Sequence, residues 1–199
     1  MEKEMTTPEY YPLSLNATMN ACNQKSSREP VMELGEGDVR TALYELEQMG
    51  LVRTDASARV SKFEHRAREV LNLRRDETAV ICLLLLRGAQ TPAELRARTE
   101  RMYAFDDNAA VMSVLERLAG REEPLTQLMA RQAGAREARW VHLLSGAVSE
   151  AAVASGAVEE RSGGGGLAGR VAALEELVRG LEERLAVLER GGEADSRGE

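Results

Sequence analysis

The chain repeats itself, and this repeat limits the folds open to it more than any other feature. Leu43 and Leu46 recur as Leu115 and Leu118 at an offset of 72, and Thr7-Pro8 recurs as Thr91-Pro92 at an offset of 84. The offsets differ by 12, which places one insertion in the first copy, in the long polar loop after Cys22. Within that copy Leu15, Met19 and Cys22 share one helical face, and Val39, Leu43, Leu46 and Gly50 share another. Between them, Asn23 to Pro30 has no apolar period and is rich in turn formers. After Val52, Arg53–Ala58 reads as a turn and Arg59–His65 as the returning strand of a ribbon. Helix, loop, helix, ribbon is the order of a winged helix-turn-helix.

The second copy is clearer. Asp76 to Arg87 is a strong helix ended by Gly88. Thr91-Pro92-Ala93-Glu94 is a capping box that starts the helix Pro92–Arg98. Asn108–Leu118 follows, then a ribbon of Leu125–Arg131 and Ala138–Leu144. The first copy has no counterpart to 76–87, only Met1–Met5. Either the start lies too far downstream or the first core lacks a wall, so apolar surface around Leu15, Met19 and Leu43 is expected to be uncovered. Thr7-Pro8-Glu9 is expected to start a helix, with Thr7 as its cap.

Residues 145–166 are rich in Ala, Gly, Ser and Glu and end in Gly163–Gly166, the composition of a flexible linker. Leu167, Val171, Leu174, Val178, Leu181, Leu185 and Leu188 then repeat at spacings of 4 and 3, an unbroken heptad seam. Leu at every d, with Val171 and Val178 at a, favours a two-stranded coiled coil, and these seven residues are the predicted dimerisation seam. The predicted fold class is mainly α with small β-ribbons: tandem winged helix-turn-helix domains plus a C-terminal coiled coil. The boundaries are a first winged helix at 1–66, a connector at 67–75 and a second winged helix at 76–146. A linker at 147–166, the coiled coil at 167–190 and a disordered tail at 191–199 complete the chain.

Charge separates along the chain. Residues 1–75 carry 11 basic and 12 acidic groups, 76–145 carry 9 and 10, and 146–199 carry 6 and 11. The acidity sits in the tail, so the total of −7 argues neither for nor against a nucleic-acid partner. Cys22 and Cys82 fall on apolar helix faces and read as buried free thiols. Val80–Leu86 is far short of the roughly 20 apolar residues of a membrane span. A cytoplasmic protein without a membrane partner is expected. His65 and His142 are isolated, Gly163–Gly166 follows no strand, and no catalytic constellation is visible. The expectation is a non-enzymatic protein that needs no metal and no cofactor.

Longer motifs carry a resemblance. Thr6-Thr7-Pro8-Glu9-Tyr10-Tyr11-Pro12-Leu13-Ser14-Leu15-Asn16, Ala21-Cys22-Asn23-Gln24-Lys25 and Arg28-Glu29-Pro30-Val31-Met32 resemble the YceH-like bacterial proteins. So does Leu85-Leu86-Arg87-Gly88-Ala89-Gln90-Thr91-Pro92-Ala93-Glu94-Leu95-Arg96. The similarity spans roughly residues 5–146. It implies a tandem winged-helix fold, with a further helix ahead of the Thr-Thr-Pro in family members. It implies no biochemical function, because none is established for the family.

A winged helix lays its third helix in the major groove and its wing over the backbone. Here those third helices would expose Glu36, Asp38, Arg40, Thr41, Tyr44, Glu45 and Glu47 in one copy, and Asp106, Asp107, Asn108, Ser113, Glu116 and Arg117 in the other. Both faces are acidic or mixed and oppose phosphate. The candidate nucleic-acid-binding residues therefore lie on loop, connector and ribbons: Asn23, Gln24, Lys25, Arg28, Arg53, Arg59, Lys62 and Arg66, then Arg131, Arg136 and Arg139. Arg28 has a second reading, as a salt bridge to an acidic helix of the other unit with no ligand at all. The expected function is a dimeric, double-stranded-DNA-binding, regulator-like protein. The alternative is a protein–protein interaction module that uses winged-helix and coiled-coil surfaces without DNA.

Overall fold

The computed structural model describes residues 1–57, 59–131 and 137–146. Among them the chain forms seven helices and two small antiparallel sheets. The order is α1 (Glu2–Thr6), a 3₁₀ turn (Pro8–Tyr10), β1 (Leu13–Ser14), α2 (Leu15–Cys22), α3 (Glu36–Gln48), β2 (Val52–Asp55) and β3 (Lys62–His65). Then come α4 (Ala67–Val70), α5 (Arg75–Arg87), α6 (Pro92–Thr99), α7 (Asn108–Ala119), β4 (Thr126–Leu128) and β5 (Trp140–His142). The first sheet has the order β1-β3-β2, and β4 pairs with β5 in the second.

The repeat is visible in the backbone bonding. α3 begins at Glu36 and α7 at Asn108, which is the offset of 72. Leu51 N–H donates to Leu46 O at 2.8 Å, and Leu125 N–H donates to Leu118 O at 3.0 Å, so each helix enters its ribbon through the same bond. Leu13 pairs with Phe63 on β3, and Gln90 bridges Trp140 on β5. The cap equivalent to Thr91 is Ser14, whose Oγ accepts from Ala17 N–H at 3.3 Å. That corrects the overlay of Thr7-Pro8 on Thr91-Pro92. Thr7 makes no side-chain cap bond, and Pro8 opens a 3₁₀ turn instead of a helix. Since Ser14 and Thr91 differ by 77, the extra 12 residues divide: seven lie ahead of α2 and five in the loop after it.

The two cores differ in size. In the second half α5 is buried on all sides from Glu77 to Leu84 and packs with Leu95, Val111, Val114, Leu115, Leu118 and Trp140. Three buried apolar residues, Val39, Leu43 and Val52, make the first core, with Leu15, Met19, Leu34 and Phe63 half-buried around them. The residues expected to be uncovered are thus inside or at the edge of that core, and Leu43 is only 8% exposed. The N-terminal segment does form a short helix, but Met1 and Met5 pack against the second core. On α3 and its C-cap the uncovered aliphatic side chains include Leu46, at 36% exposed, and Met49, at 67%. Leu46 therefore departs from its expected place in the core. Cys82 is buried and its thiol is pushed up to about 11 by desolvation; Cys22 is only half-buried.

No described helix is long and apolar enough to cross a membrane. The linker, the heptad seam and the tail lie outside the described residues.

Candidate nucleic-acid interface

The loop after α2 is held by its own polar groups. Asn23 sits at the C-cap of α2 and clips the loop across 11 residues: its Nδ2 donates to Leu34 O and its Oδ1 accepts from Leu34 N–H, both at 2.8 Å. Arg28 turns inward and is 7% exposed. Its guanidinium donates to both Glu2 carboxylate oxygens at 3.3 and 2.6 Å, to Ala21 O, to Ser27 O and to Gln24 Oε1. Gln24 also accepts from Lys3 Nζ at 3.2 Å. Asn23, Gln24 and Arg28 are therefore engaged inside the molecule, with no guanidinium face left for a phosphate. The salt-bridge reading of Arg28 holds, with the partner on α1 and not on the other half. Loop residues can buy a fixed geometry only by satisfying such buried donors. Lys25, on the same loop, is exposed.

The ribbon cations divide into two groups. Arg53 pairs with Glu64 directly across β2 and β3, and Arg66 with Glu69 at 2.7 Å. Arg139 donates to both oxygens of Glu94 at 2.8 and 3.1 Å and to Ala89 O at 2.8 Å. Burial alone would raise the Glu94 carboxyl, but the Thr91 amide and Arg139 outweigh it and hold Glu94 below the usual range. By contrast Arg59 and Lys62, at the turn end of the first ribbon, have no carboxylate partner among the described residues, and neither has Arg131 on the second. Arg136 lies outside the described residues. Of the ten predicted residues that the structure describes, Asn23, Gln24 and Arg28 are bonded within the loop and to α1, and Arg53, Arg66 and Arg139 pair with carboxylates. Among the described residues Lys25, Arg59, Lys62 and Arg131 make no ion pair, and Asp55 stands opposite Lys62 across the first ribbon.

The third helices bear out the acidic reading for α3. Glu36, Asp38, Arg40, Thr41, Tyr44, Glu45 and Glu47 are all exposed. Arg40 pairs with Glu36 at 2.5 Å within the helix, and Asp38 accepts from Gly35 N–H at 2.8 Å. On α7 one expectation fails. Arg117 is two-thirds buried, with Nε on Glu77 at 2.8 Å and Nη2 on Asp76 at 2.7 Å. Glu77 is 1% exposed and also takes Arg121 and the Arg74 amide. A periodicity reading assigns Arg117 to solvent because it cannot see that the start of α5 crosses that face.

His65 and His142 occupy equivalent ribbon positions, opposite Val52 and Thr126. Each Nδ1 is buried without a hydrogen-bond partner. His65 Nε2 meets Glu4 at 2.7 Å, and its backbone N–H donates to the Tyr11 hydroxyl at 2.6 Å. Among the described residues no three His, Cys, Asp or Glu side chains cluster as metal ligands.

A family model described as "Protein of unknown function, DUF480" matches residues 1–135. A UPF0502 protein of Solibacter usitatus is 51% identical over 183 residues, covering 92% of this chain and 87% of that one. The UPF0502 protein YceH of Salmonella paratyphi A is 47% identical over 192 residues, covering 93% and 88%. A UPF0502 protein of Pelobacter propionicus is 50% identical over 197 residues, covering 96% and 88%.

Proposed function

The chain belongs to the UPF0502 family of uncharacterised bacterial proteins, which the DUF480 model describes, and on that premise we propose that it is a non-enzymatic protein that attaches to double-stranded DNA through the wing of its first half. Both halves are read as winged helix-turn-helix units. The sheet order β1-β3-β2 around α2 and α3, and the matching bridge of Gln90 to Trp140, support that reading. The observation that carries the DNA reading is the pair Arg59 and Lys62 on the β2–β3 ribbon, which form no ion pair among the described residues while Arg28, Arg53, Arg66 and Arg139 are paired from within. A ribbon of that kind contacts phosphate and not base edges, so binding is only weakly sequence-dependent. The heptad at 167–190 supplies a parallel homodimer that doubles the number of wings.

The test is duplex binding across a salt series. Arg59→Ala and Lys62→Ala each weaken binding equally for unrelated sequences, and each lowers the slope of log affinity against log salt by about one. If the double variant binds as the parent does, the wing has no part in DNA attachment.

A further inference from the structure

The repeat supplies an internal template for what covers α3. At the offset of 72, Ala42, Leu46 and Glu45 stand where α7 has Val114, Leu118 and Arg117. Val114 and Leu118 are 2% and 0% exposed because α5 packs across them. Ala42 and Leu46 are exposed, and Met49 continues the same stripe one turn on at 67% exposed. Positions 42, 46 and 49 have the spacing of a helix-docking seam. The N-terminal helix does not fill it. Met1 and Met5 are committed to the second core, and Glu2 is tied to Arg28.

The charges name the occupant. In the second half Arg117 on α7 holds Asp76 and Glu77 at the start of the covering helix. In the first half the equivalent residue is Glu45, exposed, so the polarity is reversed. From Glu36 to Met49 the helix carries four carboxylates and one guanidinium, Arg40, which Glu36 already pairs. We infer that the Ala42–Leu46–Met49 stripe of α3 is a docking site for an amphipathic helix of a protein partner, apolar along one face and bearing Lys or Arg where α5 bears Asp76 and Glu77. The site is separate from the wing and stands whether or not the wing holds DNA. An acidic edge repels phosphate and attracts a basic helix, so one face selects protein while the ribbon selects nucleic acid.

The probe is a synthetic peptide with the sequence of residues 74–88 carrying Asp76→Lys and Glu77→Lys, added to the full-length protein under reducing conditions and followed by NMR. The methyl resonances of Ala42, Leu46 and Met49 shift, and the unsubstituted peptide binds roughly two- to fivefold more weakly, the scale of one exposed ion pair. Glu45→Arg reverses that preference. Leu46→Lys abolishes binding; if that variant fails to fold, Glu45→Arg, at a solvent-exposed position, still decides the matter. The proposal is overturned if the methyls do not move or if both peptides bind alike to the parent and to Glu45→Arg. It is equally overturned if duplex DNA moves those methyls, or if they move with protein concentration alone, since nucleic acid or a second copy is then the occupant.

Discussion

Arg28 was among the candidate ligands for phosphate, and its surroundings assign it another task. Six donor contacts to Glu2, Ala21, Ser27 and Gln24 leave it with a side chain 3% exposed. Truncating one partner of a buried pair strands the other, so Arg28→Ala should cost about 3 kcal/mol of stability. The salt slope of DNA binding should be unchanged. A variant that melts like the parent but loses DNA would return Arg28 to the binding surface. His142 has a titration consequence. Burial lowers its pKa from 6.5, so the fold holds it neutral. The unfolded chain then takes the proton first as pH falls, and stability that is full above 6.5 is lost as pH drops through it. His65 shifts in the same direction, by burial first and then by the neighbouring α-amino group, against the opposing pull of Glu4. The melting temperature should fall between about pH 7 and pH 5, and His142→Gln should show a smaller fall. Equal falls in parent and variant would show that His142 is not protonated on unfolding in that range.

At the scale of elements, the same type of ion pair has two different weights. Arg53 and Glu64 face each other across the first ribbon in solvent, where such a pair is worth about 0–1 kcal/mol. Glu77 is enclosed between α5, α7 and the turn ahead of α5, and it satisfies Arg117, Arg121 and the Arg74 amide together. Glu77→Ala should therefore cost about 3 kcal/mol or more in urea unfolding, while Arg53→Ala should cost under about 1 kcal/mol. Similar costs would mean that the α5–α7 junction is held by its apolar contacts alone. The contrast also explains why α7 offers no free cation to a ligand and why Glu45, its repeat counterpart on α3, remains in solvent.

For the whole molecule, we propose that the heptad at 167–190 sets assembly as a parallel homodimer. In a parallel register Arg170 meets Glu175 of the partner subunit, and Arg184 meets Glu189 of the partner subunit, both attractive. In that dimer these pairs would choose orientation, while the Leu and Val seam would supply affinity. Gly180 lies outside the seam and costs about 1 kcal/mol of helix propensity, so association in the micromolar range is expected. Sedimentation of the full chain should give a dimer where a truncation ending at Gly163 gives a monomer. Equal masses at equal concentration would remove the seam as the interface.

Local chemistry alone determined the helices of the second half, the Thr91 cap and the 72-residue repeat. The 3.6-residue period, Thr91 with Glu94, and Gly88 at φ 69 act over a few residues and leave their mark in the sequence. The short strand β1 was not legible, because two residues carry no period, and Thr7-Pro8 misled because its resemblance to Thr91-Pro92 is local while the sheet fixes Ser14 as the cap. Likewise the polar loop showed its donors and acceptors, but Leu34 lies 11 residues from Asn23 and Glu2 lies 26 from Arg28. Tertiary structure alone decided which cations are spent: Arg28 on Glu2, Arg117 on Asp76 and Glu77, Arg139 on Glu94. It also decided that Val114 and Leu118 are covered while Ala42 and Leu46 are not, since burial depends on which helix crosses a face, and a periodic sequence states only that the face is apolar.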